Sequence, residues 1–403
     1  MVNPAGRLRV AKAIASNPAM IAAKPSVNWF FCQYLRKFTV LDVGGNLIIH
    51  SHLPPLNSIA YKRFVKEHLL TKSANPSHAQ IGVTNICPQH CEYCYNKGRT
   101  GNPMDTETIL RNIRDLKTMG VFWIGITGGE PLLNKDLPNI VEAIGVDCAS
   151  KLFTTGCGLT KDLALDLKQA GLVYATVSLD HWSEERHDTI RKYKGAFKTA
   201  LRAIETFLGV GGVHVSVSAV LSKTMLRENA VEEFLCFLRG LDIHEAWLSE
   251  TKPSVEQLWS KESLISDKER TDLIALQDKY NKQGGMTVNY LSHFEDAQHF
   301  GCTAGHKMVY IDAFGEVSPC VFIPMTFGNI QNRPVKEIVS EMQKQFPSEN
   351  TCFINKNYET LQRHFEGTSP ITTEDSMDIV KEVEFGPLSR FFSLQYESAR
   401  VNR

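Results

Sequence analysis

Three closely spaced cysteines are the residues of this 403-residue chain best suited to chemistry. Cys87, Cys91 and Cys94 follow a C-x3-C-x2-C spacing directly after the apolar run 81–83. Three thiolates can hold three irons of a cubane iron–sulfur cluster, which leaves the fourth iron without a protein ligand. Zinc is the alternative, but a structural zinc site needs four ligands and usually draws them from C-x2-C pairs. The spacing therefore favours an iron–sulfur cluster.

A glycine pair closes the next apolar segment. Residues 121–127 predict a strand that ends at Gly128, Gly129, Glu130 and Pro131. Two successive glycines allow the chain to turn tightly and the backbone to approach a ligand. The ordinary alternative is a simple strand-to-helix turn.

A serine and an arginine follow a later strand. Ser178 lies near the end of the predicted strand 173–179, and Arg191 closes the run His187-Asp188-Thr189-Ile190-Arg191. A planar guanidinium can pair with a carboxylate through two hydrogen bonds. Taken alone, the pair would be read as a strand-end serine and a surface arginine.

Together these motifs resemble the radical S-adenosylmethionine (SAM) superfamily, including the aromatic Tyr93 before the last cysteine. In that family the free iron chelates SAM, and an electron from the cluster cleaves SAM to methionine and a 5′-deoxyadenosyl radical. The resemblance implies that Cys87, Cys91 and Cys94 are the catalytic cluster ligands. The residues that it assigns to the SAM pocket are Gly128, Gly129, Glu130, Ser178 and Arg191. His181 departs from the pattern, because the family has glycine there, and this puts the local turn in question.

Three further cysteines lie near the C-terminus. Cys302 precedes a predicted β-hairpin (308–312, a turn at 313–315, then 316–321) and Cys320 lies in its second strand, so the hairpin would bring the two cysteines close together. This region resembles the SPASM and Twitch domains that bind auxiliary iron–sulfur clusters. With Cys352, three thiolates are available for one such cluster, and a non-cysteine side chain, the substrate or water would be its fourth ligand. The alternative is that Cys352 is an ordinary buried thiol and the cluster has been lost.

The central region alternates apolar runs with helical patterns. Six strand–helix units with short links imply parallel strands and right-handed crossovers, and the resemblance implies an open (β/α)6 partial barrel of the α/β class. The motifs lie at the carboxyl ends of strands, where such barrels carry their sites. Ser249 and Glu250, after the sixth strand, are candidates to face the substrate. The predicted strands are 79–85, 121–127, 151–155, 173–179, 213–221 and 243–249.

Four regions are expected along the chain. Residues 1–75 form an N-terminal extension with a hairpin turn at Gly44-Gly45-Asn46, and 76–290 form the barrel. Residues 291–355 form the auxiliary cluster domain, and 356–403 form a polar tail that acts as a lid or a loosely held extension. The segment 4–24 is basic and has no acidic residue, so it would either lie on an anionic membrane or pack on the barrel.

Composition narrows the classes of partner. The formal charge is zero, which gives no reason to expect nucleic acid, and no apolar run is long enough to span a bilayer. Ten cysteines in so long a chain indicate metal ligation in a reducing cytoplasm rather than disulfides. A cytoplasmic location is expected, with the membrane surface as the alternative.

The resemblance to the radical SAM superfamily implies an enzyme that cleaves SAM reductively and removes hydrogen from a substrate, under anaerobic conditions. The expected partners are a reductant such as flavodoxin or ferredoxin and a substrate that is a peptide or protein side chain or a biosynthetic small molecule. A lipid or isoprenoid substrate at the membrane surface is the alternative. A non-catalytic iron–sulfur electron carrier is the alternative of another class, although a carrier has no need of a SAM pocket.

Overall fold

The computed structural model describes residues 3–17, 19–71 and 73–396. Two sheets are present, a two-stranded hairpin and a nine-stranded sheet that carries the predicted motifs. The strands are β1 (Leu41–Val43), β2 (Asn46–Ile48), β3 (His78–Gly82), β4 (Trp123–Thr127), β5 (Ala149–Thr154), β6 (Tyr174–Ser178), β7 (His214–Leu221), β8 (Glu245–Glu250), β9 (Thr287–Tyr290), β10 (Met308–Ile311) and β11 (Val317–Ser318).

The large sheet is a partial α/β barrel. The six predicted strands are β3 to β8, and each pairs in parallel with the next along the chain. Two more parallel strands extend the sheet, because β9 pairs with β8 and β10 pairs with β3. The predicted C-terminal hairpin is present as β10 and β11. Since β10 joins the barrel edge, the C-terminal cysteines are fixed relative to the barrel by backbone hydrogen bonds.

Helices connect the strands and cover the barrel. Asp105 caps the helix α5 by accepting from the Thr108 amide (2.8 Å), and the apolar side chains of Ile109, Ile113 and Leu116 are buried. The helices are α1 (Arg7–Ala15), α2 (Ala19–Ala22), α3 (Pro25–Leu35), α4 (Ile59–Phe64), α5 (Thr106–Thr118), α6 (Leu137–Ile144), α7 (Lys161–Gln169), α8 (Glu184–Arg191), α9 (Ala196–Val210), α10 (Lys223–Arg227), α11 (Ala230–Arg239), α12 (Asp267–Gln283), α13 (Leu291–Phe294), α14 (Val335–Gln345), α15 (Phe353–Arg363), α16 (Thr373–Glu382) and α17 (Arg390–Tyr396).

The N-terminal extension closes the amino end of the barrel. Its hairpin forms with Gly44 and Gly45 in the turn, as predicted. The chain then enters the barrel, where the Ser51 amide donates to Glu245 Oε2 (2.9 Å) and Lys151 Nζ donates to Ser51 Oγ (2.7 Å). The extension is therefore a packed part of the fold. Among the described helices, none is both long enough and apolar enough to cross a bilayer.

Of the two expectations for the tail, a lid or a loosely held extension, the packing of its described part disagrees with the second. Its described part forms most of α15 and all of α16 and α17, and Ile379, Phe391 and Phe392 are buried. Phe391 packs against Phe31 of α3, with ring centroids 5.7 Å apart. The tail is polar on average, but these few apolar side chains are enough to dock it beside the N-terminal extension.

Candidate active site

The first cysteine set lies in the irregular loop after β3. Cys91 is buried, and Cys87 and Cys94 are half-buried. All three line one cavity of about 300 Å³. Burial raises the pKa of each thiol, to about 12 for Cys87, so metal binding here would displace protons. The loop presents all three thiols to the same cavity, and their ligation of a cluster stays a prediction.

The glycine pair holds this loop in place. The Gly129 amide donates to Thr84 O (2.6 Å), and the Glu130 amide donates to Ile86 O (2.7 Å). Gly128 has a φ of 131°, and a Cβ at either glycine would collide with one of these two carbonyl oxygens. Both glycines also line the cavity. Glycine is needed at both positions chiefly because the two loops pack backbone against backbone. The sequence had suggested a different reason, the close approach of the backbone to a ligand.

Glu130 faces away from the cavity that its neighbours line. It is fully buried, and its carboxylate accepts from the Leu132 amide (3.1 Å), Thr154 Oγ1 (2.6 Å), the Thr155 amide (2.6 Å) and Thr155 Oγ1. Burial raises the pKa of this carboxyl, and the four hydrogen bonds oppose that shift. The structure therefore revises the expected direct SAM contact: Glu130 ties the loop after β4 to the end of β5.

We expect Glu130→Ala to lower the free energy of unfolding by about 3 kcal/mol, because it leaves buried hydroxyl and amide donors without acceptors. Glu130→Gln, which keeps one acceptor oxygen, should cost less. Anaerobic urea denaturation measures both, with the exposed Glu142→Ala on α6 as the control. A Glu130→Ala protein of unchanged stability but reduced SAM affinity would contradict this and restore the direct cofactor contact.

Arg191 is fixed at the cavity wall by a carboxylate that the motif analysis left without a role. Its Nε lies 2.7 Å from Asp180 Oδ2, and its Nη1 donates to Cys91 Sγ (3.8 Å). Asp180 also accepts from Tyr93 OH (2.6 Å) and the Val220 amide (3.0 Å). Burial would lower the pKa of Arg191, but Asp180, Tyr93 and Cys91 together outweigh burial and raise that pKa. Asp180 thus orients a permanent cation beside the cluster loop.

The other predicted pocket residues occupy the strand ends. Ser178, at the end of β6, lines the cavity, as do Ser249 and Glu250 at the end of β8. His181 stacks on Trp182, with ring centroids 4.0 Å apart, and accepts from the Ser183 amide (2.9 Å). It has no positive φ, so this turn accepts a side chain where the family pattern has glycine.

The second cysteine set lines the same cavity. Cys302 follows α13 and forms an isolated β-bridge with Glu349. Cys320 follows β11, and Cys352 occupies the N-cap position of α15. All three are half-buried and line the cavity. A helix amino terminus favours a thiolate, which suits Cys352 as a metal ligand. Cys302 and Cys320, on either side of β10, both line this cavity, and their close approach stays a prediction.

A buried lysine accompanies this second set. Lys252 Nζ donates to Glu250 Oε1 (2.9 Å), Glu295 Oε2 (3.5 Å) and Cys352 Sγ (3.4 Å). Burial would raise the pKa of Glu250, but Lys252 and Arg270 outweigh it and hold that pKa at about 2. Lys252 therefore places a positive charge beside a candidate cluster thiolate.

The sulfur atoms of each thiol set lie too far apart to hold a single tetrahedral zinc ion. Among the described residues, one group alone brings three ligating atoms within 4.8 Å of one another: His293, Asp296 and His299. Each thiol set is therefore wider, whereas zinc–sulfur bonds of about 2.3 Å put the sulfurs of a tetrahedral site roughly 3.8 Å apart. His293 Nε2 also lies 3.0 Å from the ammonium of Lys37, which disfavours a cation there.

Three functional residues were missed by sequence reasoning: Asp180, Lys252 and Glu295. Asp180 lies two residues after Ser178, and its negative charge so close to a strand end could have marked it as a candidate. Lys252 lies two residues beyond Glu250, close to a strand end where polar residues collect. Glu295 had no local signal, because its position beside the cysteines depends on where α13 packs.

Two family models match the chain. The radical SAM superfamily matches residues 81–232, and an iron–sulfur cluster-binding domain matches residues 302–360. The first match covers the Cys87 loop through Arg191, and the second covers all three C-terminal cysteines. The two matches thus coincide with the two thiol sets that line the cavity.

Two curated relatives and one solved structure are also similar to this chain. The AdoMet-dependent heme synthase of Methanosarcina barkeri is 26% identical over 280 residues, 64% of this chain and 80% of that protein. The GTP 3′,8-cyclase of Helicobacter pylori is 26% identical over 317 residues, 72% of this chain and 95% of that protein. SuiB of Streptococcus suis, solved with the precursor peptide SuiA, shares the fold with a TM-score of 0.53 at 16% identity, over 70% of this chain and 67% of that one.

Proposed function

The chain belongs to the radical SAM superfamily and carries a C-terminal iron–sulfur cluster-binding domain, and we propose that it removes hydrogen from a substrate held inside the barrel. The observation that carries this proposal is that both thiol sets, Arg191 and the strand-end residues line one cavity. When bound, the cluster and SAM supply a radical able to attack an unactivated C–H bond. A shared enclosed space places that chemistry next to the second cluster site.

The protein's own residues bind and orient in this proposal. Cys87, Cys91 and Cys94 hold the first cluster, and Arg191, steadied by Asp180, pairs with the carboxylate of SAM. Ser178 and the Gly128–Gly129 backbone line the same side of the cavity and complete the cofactor pocket. The packed N-terminal extension excludes water from the barrel, and an external reductant such as flavodoxin or ferredoxin supplies the electron.

The relatives leave the substrate class open. One relative is named as a heme synthase, one as a GTP cyclase, and SuiB was solved with a peptide. Similarity to these proteins therefore supports either a biosynthetic small molecule or a peptide side chain as the substrate. The cavity itself favours the alternative of a lipid or isoprenoid chain.

The cavity runs the length of the barrel wall. β4 contributes both its first residue, Trp123, and its last, Thr127, to the lining, and these lie about 13 Å apart along an extended strand. Beyond Trp123 the lining becomes an aromatic end, with the Phe64 and Phe122 ring centroids 4.9 Å apart. The aromatic end consists of Phe31, Phe64, Phe122, Phe300, Phe391 and Phe392. A long apolar chain that starts at the cysteine loops would bury its far end here.

The outer surface of the N-terminal helices is consistent with a lipid source. Leu8 of α1 and Trp29 of α3 expose 84% and 62% of their surface, and Arg7, Arg9 and Lys12 lie on α1. Exposed apolar side chains with basic neighbours are typical of segments that bind an anionic membrane surface. We therefore propose peripheral membrane contact through these helices.

Filling the aromatic end tests the substrate class. Ser77 is a small residue that lines the cavity at the amino end of β3, and Ser77→Trp should weaken binding of 11-dansylaminoundecanoate at least about tenfold. SAM affinity should stay unchanged, because Ser77 lies at the amino end of β3 whereas the Cys87 loop follows the carboxyl end of that strand. Ser340→Trp, on the exposed face of α14, is the matched control. Failure of the unmodified enzyme to bind the probe would reject the apolar-chain substrate.

Isotope transfer then tests the reaction. Lipid extract from deuterium-grown cells should increase 5′-deoxyadenosine formation and place deuterium in that product. The peptide fraction of the same cells serves as the comparison. Deuterium arriving from the peptide fraction alone would assign the enzyme to peptide modification instead.

A further inference from the structure

The auxiliary site has three thiols for a cluster of four irons. Cys302, Cys320 and Cys352 are the cysteines that line this end of the cavity. The fourth iron of a cubane held by them would need a ligand from another source. Side chains that face the same space are the first place to look.

Glu295 is a carboxylate that faces the same cavity as the second thiol set. Lys252 Nζ contacts both Glu295 Oε2 (3.5 Å) and Cys352 Sγ (3.4 Å), so carboxylate and thiol share one ammonium.

The carboxylate of the neighbouring Glu250 accepts several hydrogen bonds, whereas that of Glu295 accepts few. Glu250 accepts from Lys252, Arg270, Tyr290 OH (3.0 Å) and Asn355 Nδ2 (3.1 Å), which uses both of its oxygens. Within the described part of the chain, the Glu295 carboxylate has a hydrogen bond to Lys252 alone, and that contact is long. Glu295 therefore retains lone pairs for a metal.

We infer that Glu295 is the fourth protein ligand of the auxiliary cluster, with Lys252 holding its carboxylate toward the site. This inference rests on the proposed function only in that an auxiliary cluster is bound. A cluster closed by Glu295 exchanges electrons with the substrate but does not bind the substrate at iron. The auxiliary site would then be an electron acceptor or relay.

Cyanide binding tests the closure without any measure of SAM cleavage. The full-length Cys87→Ala/Cys91→Ala/Cys94→Ala protein, reconstituted anaerobically, carries the auxiliary cluster alone, which about four irons per chain would verify. With Glu295 present, ¹³C-cyanide should give no ¹³C coupling in pulsed electron paramagnetic resonance of the reduced cluster. Glu295→Ala should introduce that coupling and tighten cyanide binding at least about tenfold.

Two further variants complete the test. Glu295→Cys should exclude cyanide again by restoring a fourth ligand, and Asp296→Asn, at the next position in the chain, should behave as the parent protein does. Cyanide coupling in the parent protein would show an open iron and overturn the inference. Absence of coupling in Glu295→Ala, at unchanged iron content, would overturn it too, because another group would then hold the iron.

Discussion

Cys91→Ala is expected to abolish 5′-deoxyadenosine formation, and iron should fall from about eight to about four per chain. Cys91 is the buried member of the first thiol set and the one that Arg191 contacts, so two thiols and a repositioned arginine would remain. The auxiliary cluster should survive, because its thiols come from a different part of the chain. Iron analysis and a product assay after anaerobic reconstitution measure both effects.

Cys302→Ala is the matched variant at the second site. It should also lose about half of the iron, yet SAM should still bind and still be cleaved at the first cluster, with substrate conversion lost. Equal loss of SAM binding in the two variants would contradict two separable cluster sites. If Cys302→Ala kept all of its iron, the hypothesis that this site holds an auxiliary cluster would be rejected.

Arg191→Ala is expected to weaken SAM binding by about 10- to 150-fold while both clusters remain. A hydrogen-bonded charge pair with the SAM carboxylate accounts for this range, at about 1.5–3 kcal/mol. Arg191→Lys should recover only part of the affinity, because an ammonium cannot form the paired hydrogen bonds of a guanidinium. Equilibrium SAM binding, followed under conditions that do not reduce the cluster, measures all of these variants.

Asp180→Asn tests whether the orientation of Arg191 matters for SAM binding, apart from the contact that Arg191 itself makes. It does not replace a SAM-binding group, but it removes the charge that holds Arg191 and should therefore weaken SAM binding in the same direction. Arg186→Ala is the control on the same helix, since Arg186 pairs with Glu228 at the surface. Unchanged SAM affinity in both Arg191→Ala and Asp180→Asn would remove Arg191 from the cofactor pocket.

The two candidate cluster sites lie at different places along the cavity. The first site, with Arg191, stands at the carboxyl ends of the early strands, and the second stands where β10 joins the barrel edge. The aromatic end lies beyond the amino ends of the same strands, walled by segments from both chain termini. A substrate threaded along this space would meet the radical and the auxiliary cluster within one enclosure.

The sequence by itself determined the parts that depend on short spacings. One loop supplies three thiols because Cys87, Cys91 and Cys94 lie within eight consecutive residues, and the glycine pair is dictated by a local turn. Alternating strands and helices give parallel pairing, since short connections leave few other topologies. The C-terminal hairpin likewise follows from its own turn.

The tertiary structure alone decided which distant side chains meet. Lys252 lies 100 positions from Cys352, and no spacing rule connects them. The role of Glu130 changed because its carboxylate turns toward Thr154 and Thr155 rather than the cavity. The closure of the barrel by the N-terminal extension and Phe391 depends on packing between chain ends. Such contacts arise from side-chain direction and shape complementarity across the fold, which local sequence patterns do not encode.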